Sequence, residues 1–386
     1  MVSNVRLKVF LQDYVFGFLS RINKHKSHRQ DRIMLYSNLG FRDNIKALFD
    51  YLIEKGYNSK YNIICSLNDY ADYKDLKIHN VSFVSNIKGV LSYFSTGYVY
   101  YCFGKIPLIP AKDQKVIQMW HGCPFKAPDE GMLKGHSWDK QYYTNVLSTS
   151  RHFTAFWSYA FSIPESNIII CGQPRCDDLY KPSPEYDFGQ YKKLILWTPT
   201  FRKSKVTGYS DIRQQDEIVP VLKANDFEFI NSQLKEIGVK IIVKLHPMQD
   251  LDKYNLVNLD NFILMSHQEF TRREMSLYRL MKQCDALITD YSSIFFDYLL
   301  LNRPIGFTED DCEDYGSTRG FALEDPDSYK AGFRIKTKED LLRFAKDLSD
   351  GKDEYRQERV RVLDLSNDYR DGQFSKCALE SVGIKL

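Results

Sequence analysis

Asp285-Ala-Leu-Ile-Thr-Asp-Tyr-Ser-Ser-Ile-Phe-Phe-Asp-Tyr-Leu-Leu-Leu-Asn-Arg-Pro304 reads as a short buried strand, a polar turn and an apolar helix that stops before its proline. A strand feeding directly into a helix is the repeating unit of a parallel sheet covered by helices. The same unit recurs on both sides of this stretch. After the break Lys181-Pro-Ser-Pro-Glu185, strand patterns at 194–197, 241–245, 262–265 and 286–289 alternate with helical ones at 228–237 and 276–283. Amphipathic helices at 338–348 and 353–365 close that series. Upstream, strand patterns at 33–37, 61–66, 81–84, 98–103, 116–120 and 168–171 alternate with helical stretches such as 44–54 and 152–161. The expected fold class is therefore α/β, with one domain at 31–180, a linker at 181–192, a second domain at 193–386, and a basic amphipathic segment at 1–30.

A chain of 386 residues exceeds what one core usually supports, and 43% hydrophobic with 27% charged residues is an ordinary globular profile. The net charge of +3 gives no reason to expect nucleic acid as a partner. Its distribution says more. Before Asp31 the only acidic residue is Asp13, against Arg6, Lys8, Arg21, Lys24, Lys26 and Arg29, with Val9, Phe10, Val15, Phe16 and Phe18 among them. Such a segment suits the headgroup layer of an anionic membrane surface, where each Lys or Arg adds about 1 kcal/mol. It equally suits a first helix packed on the domain and followed by a solvated basic loop. No run of 18 apolar residues and no secretory leader pattern occur, so the expected location is cytoplasmic. Eight cysteines, several in apolar stretches (Cys65, Cys102, Cys171) and none in C-x-x-C spacing, read as reduced thiols.

Phosphate-binding and metal motifs of the common kinds are absent: no G-x-x-x-x-G-K-[ST], no G-x-G-x-x-G after a strand, no H-E-x-x-H. No cofactor and no metal are expected. Asp310-Asp-Cys-Glu-Asp314 lacks the glycine and terminal glutamate of a calcium loop and reads as solvated.

Open α/β sheets bind ligands beyond the carboxyl ends of their strands, and there the chain places its unusual residues. Ser292 and Ser293 fall at the expected N-cap and first turn of the helix after 286–289, where free N–H groups and hydroxyls can hold an anion; the alternative is that they only cap a core helix. His121 follows the strand at 116–120 and precedes a glycine and a proline in Trp120-His-Gly-Cys-Pro124. An imidazole, with an ordinary pKa near 6.5, is suited to take a proton at neutral pH, although a lone histidine is as readily a structural residue. In Ile241-Ile-Val-Lys-Leu-His-Pro247, the alternation of a strand puts Lys244 and His246 on one face. Thr198-Pro-Thr-Phe-Arg202 ends another strand, with Arg202 able to clamp phosphate oxygens.

Together with Arg319-Gly-Phe321 and Gly172-Gln-Pro-Arg-Cys-Asp-Asp-Leu179, these motifs occur in the order seen in the CDP-glycerol glycerophosphotransferase family. From about residue 30 to 380 the chain resembles the teichoic acid enzymes of that family. The resemblance implies a GT-B-like fold of two Rossmann-like domains facing a cleft, the first binding the acceptor and the second the CDP-linked donor. It implies transfer of glycerol phosphate or ribitol phosphate from CDP-glycerol or CDP-ribitol to a hydroxyl of a lipid-linked saccharide or polymer in teichoic acid, capsule or related synthesis, with release of CMP. It further implies a peripheral place on the cytoplasmic face of the membrane. By that analogy His121 and His246 are catalytic, and Thr200, Arg202, Lys244, Asp290, Ser292, Ser293 and Arg319 bind the donor. Cys123 and Phe125 stand where the family usually has threonine and leucine, which leaves the acceptor open, and the chain length points to a primase-like enzyme adding one or a few units. Two other readings stand beside this one: a glycosyltransferase of the same fold using a nucleotide-sugar, and a non-catalytic membrane-bound nucleotide-binding subunit.

Overall fold

The computed structural model describes residues 14–125, 141–199, 219–245, 259–290, 292–309 and 322–386. They form two parallel-sheet α/β units. The first contains α1 (Phe16–Lys24), β1 (Arg29–Ser37), α2 (Asp43–Glu54), β2 (Asn62–Leu67), β3 (Val81–Ser85), α3 (Asn86–Tyr93), β4 (Thr96–Tyr101), β5 (Lys115–Gln118), β6 (Asn145–Ser148), α4 (Thr154–Phe161) and β7 (Ile168–Ile170). Its strands run in the order β3-β2-β1-β4-β5-β6-β7, and every pair is parallel.

The second unit contains β8 (Lys193–Thr198), α5 (Phe227–Glu236), β9 (Val239–Lys244), β10 (Phe262–Met265), α6 (His267–Arg272), α7 (Leu277–Gln283), β11 (Ala286–Thr289), α8 (Ile294–Tyr298), β12 (Ile305–Thr308), β13 (Phe333–Ile335), α9 (Lys338–Ser349) and α10 (Arg356–Ser366). Its order is β10-β9-β8-β11-β12-β13, again all parallel. Each sheet therefore winds outward from its first strand and then reverses, which puts a switch point between β1 and β4 in one unit and between β8 and β11 in the other. Ligands of doubly wound sheets bind beyond the carboxyl ends of the strands at such points.

Parallel strands covered on both faces need apolar residues at successive positions, not alternate ones. Ile33, Met34 and Leu35 of β1, Leu194 to Trp197 of β8 and Ile241 to Val243 of β9 are accordingly all without exposed surface. The first core joins Ile33, Leu35, Ile63 and Cys65 to Ile45, Leu48 and Leu52 of α2; the second joins Ile195, Trp197, Ile241 and Val243 to Ile230 and Leu234 of α5 and to Leu341 and Phe344 of α9. At the start of α9, the Thr337 hydroxyl accepts from Asp340 N–H and the Asp340 carboxylate accepts from Thr337 N–H, a reciprocal box that closes the helix end. Strands β6, β12 and β13 and helices α3, α6 and α11 (Phe374–Glu380) are additional to the patterns read from sequence.

One boundary differs from the sequence expectation. Ser366–Leu386, read as the end of the second domain, belongs to the first unit. Ala378, Leu379, Val382 and Ile384 lie in the first core. Asp177 caps α11 from outside, its carboxylate accepting from Phe374 N–H at 2.8 Å and Ser375 N–H at 3.0 Å. Tyr100 of β4 donates its hydroxyl to Ala378 O at 2.9 Å. Gly172 makes this docking possible, since a Cβ there would sit 2.1 Å from the Phe374 ring. The described cysteines are free thiols.

Candidate functional site

Beyond β5 the chain turns sharply at Met119-Trp-His-Gly122. Met119 still pairs with the sheet through its N–H to Tyr101 O (2.8 Å), but Trp120 adopts the left-handed conformation, φ +56°. For a bulky residue that conformation costs roughly 1–2 kcal/mol and persists only where the surroundings over-determine it. Here they do. Trp120 N–H donates to Gln118 Oε1 (3.0 Å), and its carbonyl accepts from Asn44 Nδ2 (3.0 Å) and the Cys102 thiol (3.1 Å). Gln173 Nε2 donates to Met119 O at 3.3 Å, and Arg175 Nη2 donates to His121 O at 3.1 Å.

The half-buried His121 imidazole stacks on Trp120 (centroids 4.1 Å, 28°) and on Phe103 (5.4 Å, 23°), while Trp120 meets Trp157 and Phe161 edge-on. Phe103 follows β4 and lies under the Arg42 guanidinium, 5.8 Å from the ring centroid. The structure thus places His121 as the sequence predicts, just past a strand on the carboxyl edge of the sheet. Reasoning from sequence assigns no task to Asp43, Asn44, Gln173 and Arg175, which hold this turn. Two of them belong to the quoted Gly172-Gln-Pro-Arg element, and nothing local ties that element to position 121. Cys123 is buried with its sulfur 3.1 Å from Thr149 Oγ1, and Phe125 packs edge-on against Phe295, so both departures from the family pattern are interior contacts.

In the second unit, threonines end the strands at the switch point. Thr289 donates its hydroxyl to Thr198 O at 3.1 Å, and Thr308 donates to Thr289 O at 3.4 Å, which ties the ends of β8, β11 and β12 together. Asp290, next in line, is 1% exposed. The two serines sit one position earlier than the expected N-cap and first turn. Ser293 is the N-cap residue of α8 but has helical φ and ψ, and its side chain makes no cap hydrogen bond; Ser292 Oγ accepts the Ile294 N–H at 3.5 Å. α8 has only five residues before a 3₁₀ turn, so little dipole builds up along it. The reason is packing: Phe295, Phe296 and Tyr298 are without exposed surface and fix this short helix as core. Lys244, the last residue of β9, holds its ammonium 5.0 Å from the Phe270 ring centroid. Thr200, Arg202, His246 and Arg319 lie outside the described residues.

The chain is 25% identical over 332 residues to the teichoic acid poly(ribitol-phosphate) polymerase of Bacillus spizizenii, covering 81% of this chain and 50% of that one. It is 28% identical over 339 residues to the teichoic acid poly(glycerol phosphate) polymerase of the same organism, covering 80% of each. Against several curated relatives that it matches, the chain spans about half their length. The fold is GT-B-like, similar to the solved structure of the wall teichoic acid polymerase TagF with a TM-score of 0.70 and 20% identity over 98% of this chain and 95% of that one. A profile of the family described as CDP-Glycerol:Poly(glycerophosphate) glycerophosphotransferase matches residues 18–382, so the chain belongs to that family.

Proposed function

We propose that the protein is a transferase that moves glycerol phosphate or ribitol phosphate from a CDP-alcohol to a hydroxyl of a lipid-linked acceptor in teichoic acid or related surface-polymer synthesis. The observation that carries this reading is the His121 turn: an imidazole on the carboxyl edge of a doubly wound sheet, held by a strained backbone whose Met119, Trp120 and His121 carbonyls all accept hydrogen bonds. In this reaction His121 takes the proton of the acceptor hydroxyl as its oxygen bonds to the phosphorus bearing the polyol. The bond from that phosphorus to the oxygen of CMP breaks, and CMP leaves with the electron pair. Phosphoryl transfer asks for alignment of the nucleophile and compensation of leaving-group charge. Lys244, Asp290, Ser292 and Ser293, with Thr200, Arg202 and Arg319, are assigned to the donor, and His246 to a second catalytic role. The names of the relatives, which include both ribitol-phosphate and glycerol-phosphate polymerases, make both donors candidates.

A donor panel with a lipid-linked saccharide acceptor tests this. CMP release from CDP-glycerol or CDP-ribitol, with a product heavier by one or more polyol phosphates, is the expected result. Turnover with a UDP- or GDP-sugar alone would overturn it.

A peripheral membrane position is part of the proposal, and the packing of α1 supports it. This helix buries polar Ser20 and Asn23, bonded to Ile109 and Gln114, and exposes Phe18 (62%) beside basic Arg21 and Lys24, with exposed Tyr14 (69%) just before it. An ordinary surface helix does the reverse. Among the described residues no helix is long and apolar enough to cross a membrane. Phe18→Ser is expected to weaken binding to anionic vesicles about tenfold, since burying one phenylalanine contributes about 1.5–3 kcal/mol, and raised salt should weaken it further. Vesicle co-sedimentation reads both; binding unchanged by the substitution and by salt would remove α1 from the interface.

A further inference from the structure

We infer that Asp43, Asn44, Gln173 and Arg175 form a positioning device that sets the orientation of the His121 imidazole, an inference that rests on His121 being the base proposed above. Three successive carbonyl oxygens, those of Met119, Trp120 and His121, each accept a hydrogen bond from one of these side chains: Gln173, Asn44 and Arg175 in turn. The donors come from two segments distant in sequence, the start of α2 and the turn after β7. Cys102 supports the middle carbonyl as well.

The holders are also bonded to one another. Asn44 Nδ2 donates to Gln173 Oε1, and Asn44 Oδ1 accepts the Arg175 N–H at 3.1 Å. Arg175 Nη1 reaches both Asp43 oxygens, at 2.8 and 3.0 Å, while Asp43 Oδ1 accepts the Asn44 N–H at 2.7 Å. Arg175 is 7% exposed, so its planar fork links a carboxylate and the His121 peptide away from bulk water. Asp43 is itself left-handed, φ +58°, so Arg175 ties a second left-handed residue to the His121 carbonyl, one residue after Trp120. The ring stacks on Trp120, whose own peptide the network sets; rotating that peptide turns Trp120 and His121 together.

Loss of one link should therefore move the imidazole and leave the rest of the sheet in place. Arg175→Lys keeps a cation for Asp43 but lacks the fork needed to span both partners. Asp43→Asn keeps a residue that tolerates positive φ and removes the charge. For both, turnover is expected to fall about 10- to 100-fold with the donor KM changed less than about twofold, because misplacing a reacting group by an ångström costs on that order. The double variant should lose little more than either single one, since both cut the same link.

The experiment measures kcat and KM for the productive CDP-alcohol together with NMR of histidine-labelled protein, the His121 signal being identified by its disappearance in His121→Ala. A displaced His121 signal with reduced kcat, in variants whose circular dichroism matches the parent, is the expected result. Wild-type kcat and an unmoved His121 signal in folded Asp43→Asn would overturn the inference, and this milder variant serves even if Arg175→Lys fails to fold. Failure of the underlying reading looks different: His121→Ala would then turn over like wild type.

Discussion

His121→Ala is expected to lower kcat by about 10²- to 10⁴-fold, the usual contribution of a positioned general base, with the donor KM held within about twofold. The hydroxyl of a polyol or sugar is a poor nucleophile until its proton leaves. Without the imidazole, only water can take that proton, and water is not aligned. The donor KM should not notice the change, because the described groups assigned to the donor, Lys244, Asp290, Ser292 and Ser293, end or follow strands of the second sheet, whereas His121 follows β5 of the first. Stability should change little as well: the variant loses the stacks on Trp120 and Phe103, and aromatic pairs contribute about 0.5–1.5 kcal/mol each. A small change in melting temperature with a large fall in CMP release separates a missing base from a damaged fold. Full turnover in a folded His121→Ala protein would sink the assignment.

The contrast between His121 and its holders shows what a sequence makes legible. Histidine after an apolar run and before Gly122 and Pro124 is a local pattern, readable in a window of ten residues. Arg175 and Asp43 reach the same turn across 132 positions of chain, and no local pattern carries that pairing. The strands divide in the same way. β10 and β11 match the sequence reading residue for residue, because Phe262–Met265 and Ala286–Ile288 are uninterrupted apolar runs. β12 and β13 escape it: β12 is interrupted by Gly306, and β13 has three residues with Arg334 at its centre, so neither is a continuous apolar run. At Ser292 and Ser293 the residue types fit a cap, yet the aromatic packing of Phe295, Phe296 and Tyr298 fixes a helix too short to use both. Tertiary contacts override propensity there.

Removing residues 366–386 is expected to unfold the first unit and spare the second. Pattern reading assigns this segment to the second domain, so the two views predict opposite outcomes. Leu379 and Ile384 are without exposed surface in the first core and Phe374 is 1% exposed, and burying each contributes about 1.5–3 kcal/mol. The truncation also strands the buried Tyr100 hydroxyl, which loses its acceptor, and takes the Phe374 and Ser375 N–H donors from the buried Asp177 carboxylate. Leaving buried polar groups unpaired costs about 1–3 kcal/mol each, and the combined loss rivals the 5–15 kcal/mol that holds a typical domain together. Among the described residues the second core uses nothing beyond Leu348. Hydrogen exchange should therefore show β1, β2 and β4 losing protection in the truncated chain while β8, β9 and β11 keep theirs. Leu379→Ala offers a graded version, costing about 2–5 kcal/mol as a buried leucine cavity does, with the loss again confined to the first sheet. Protection lost first from β8 and β9 would instead assign the segment to the second unit.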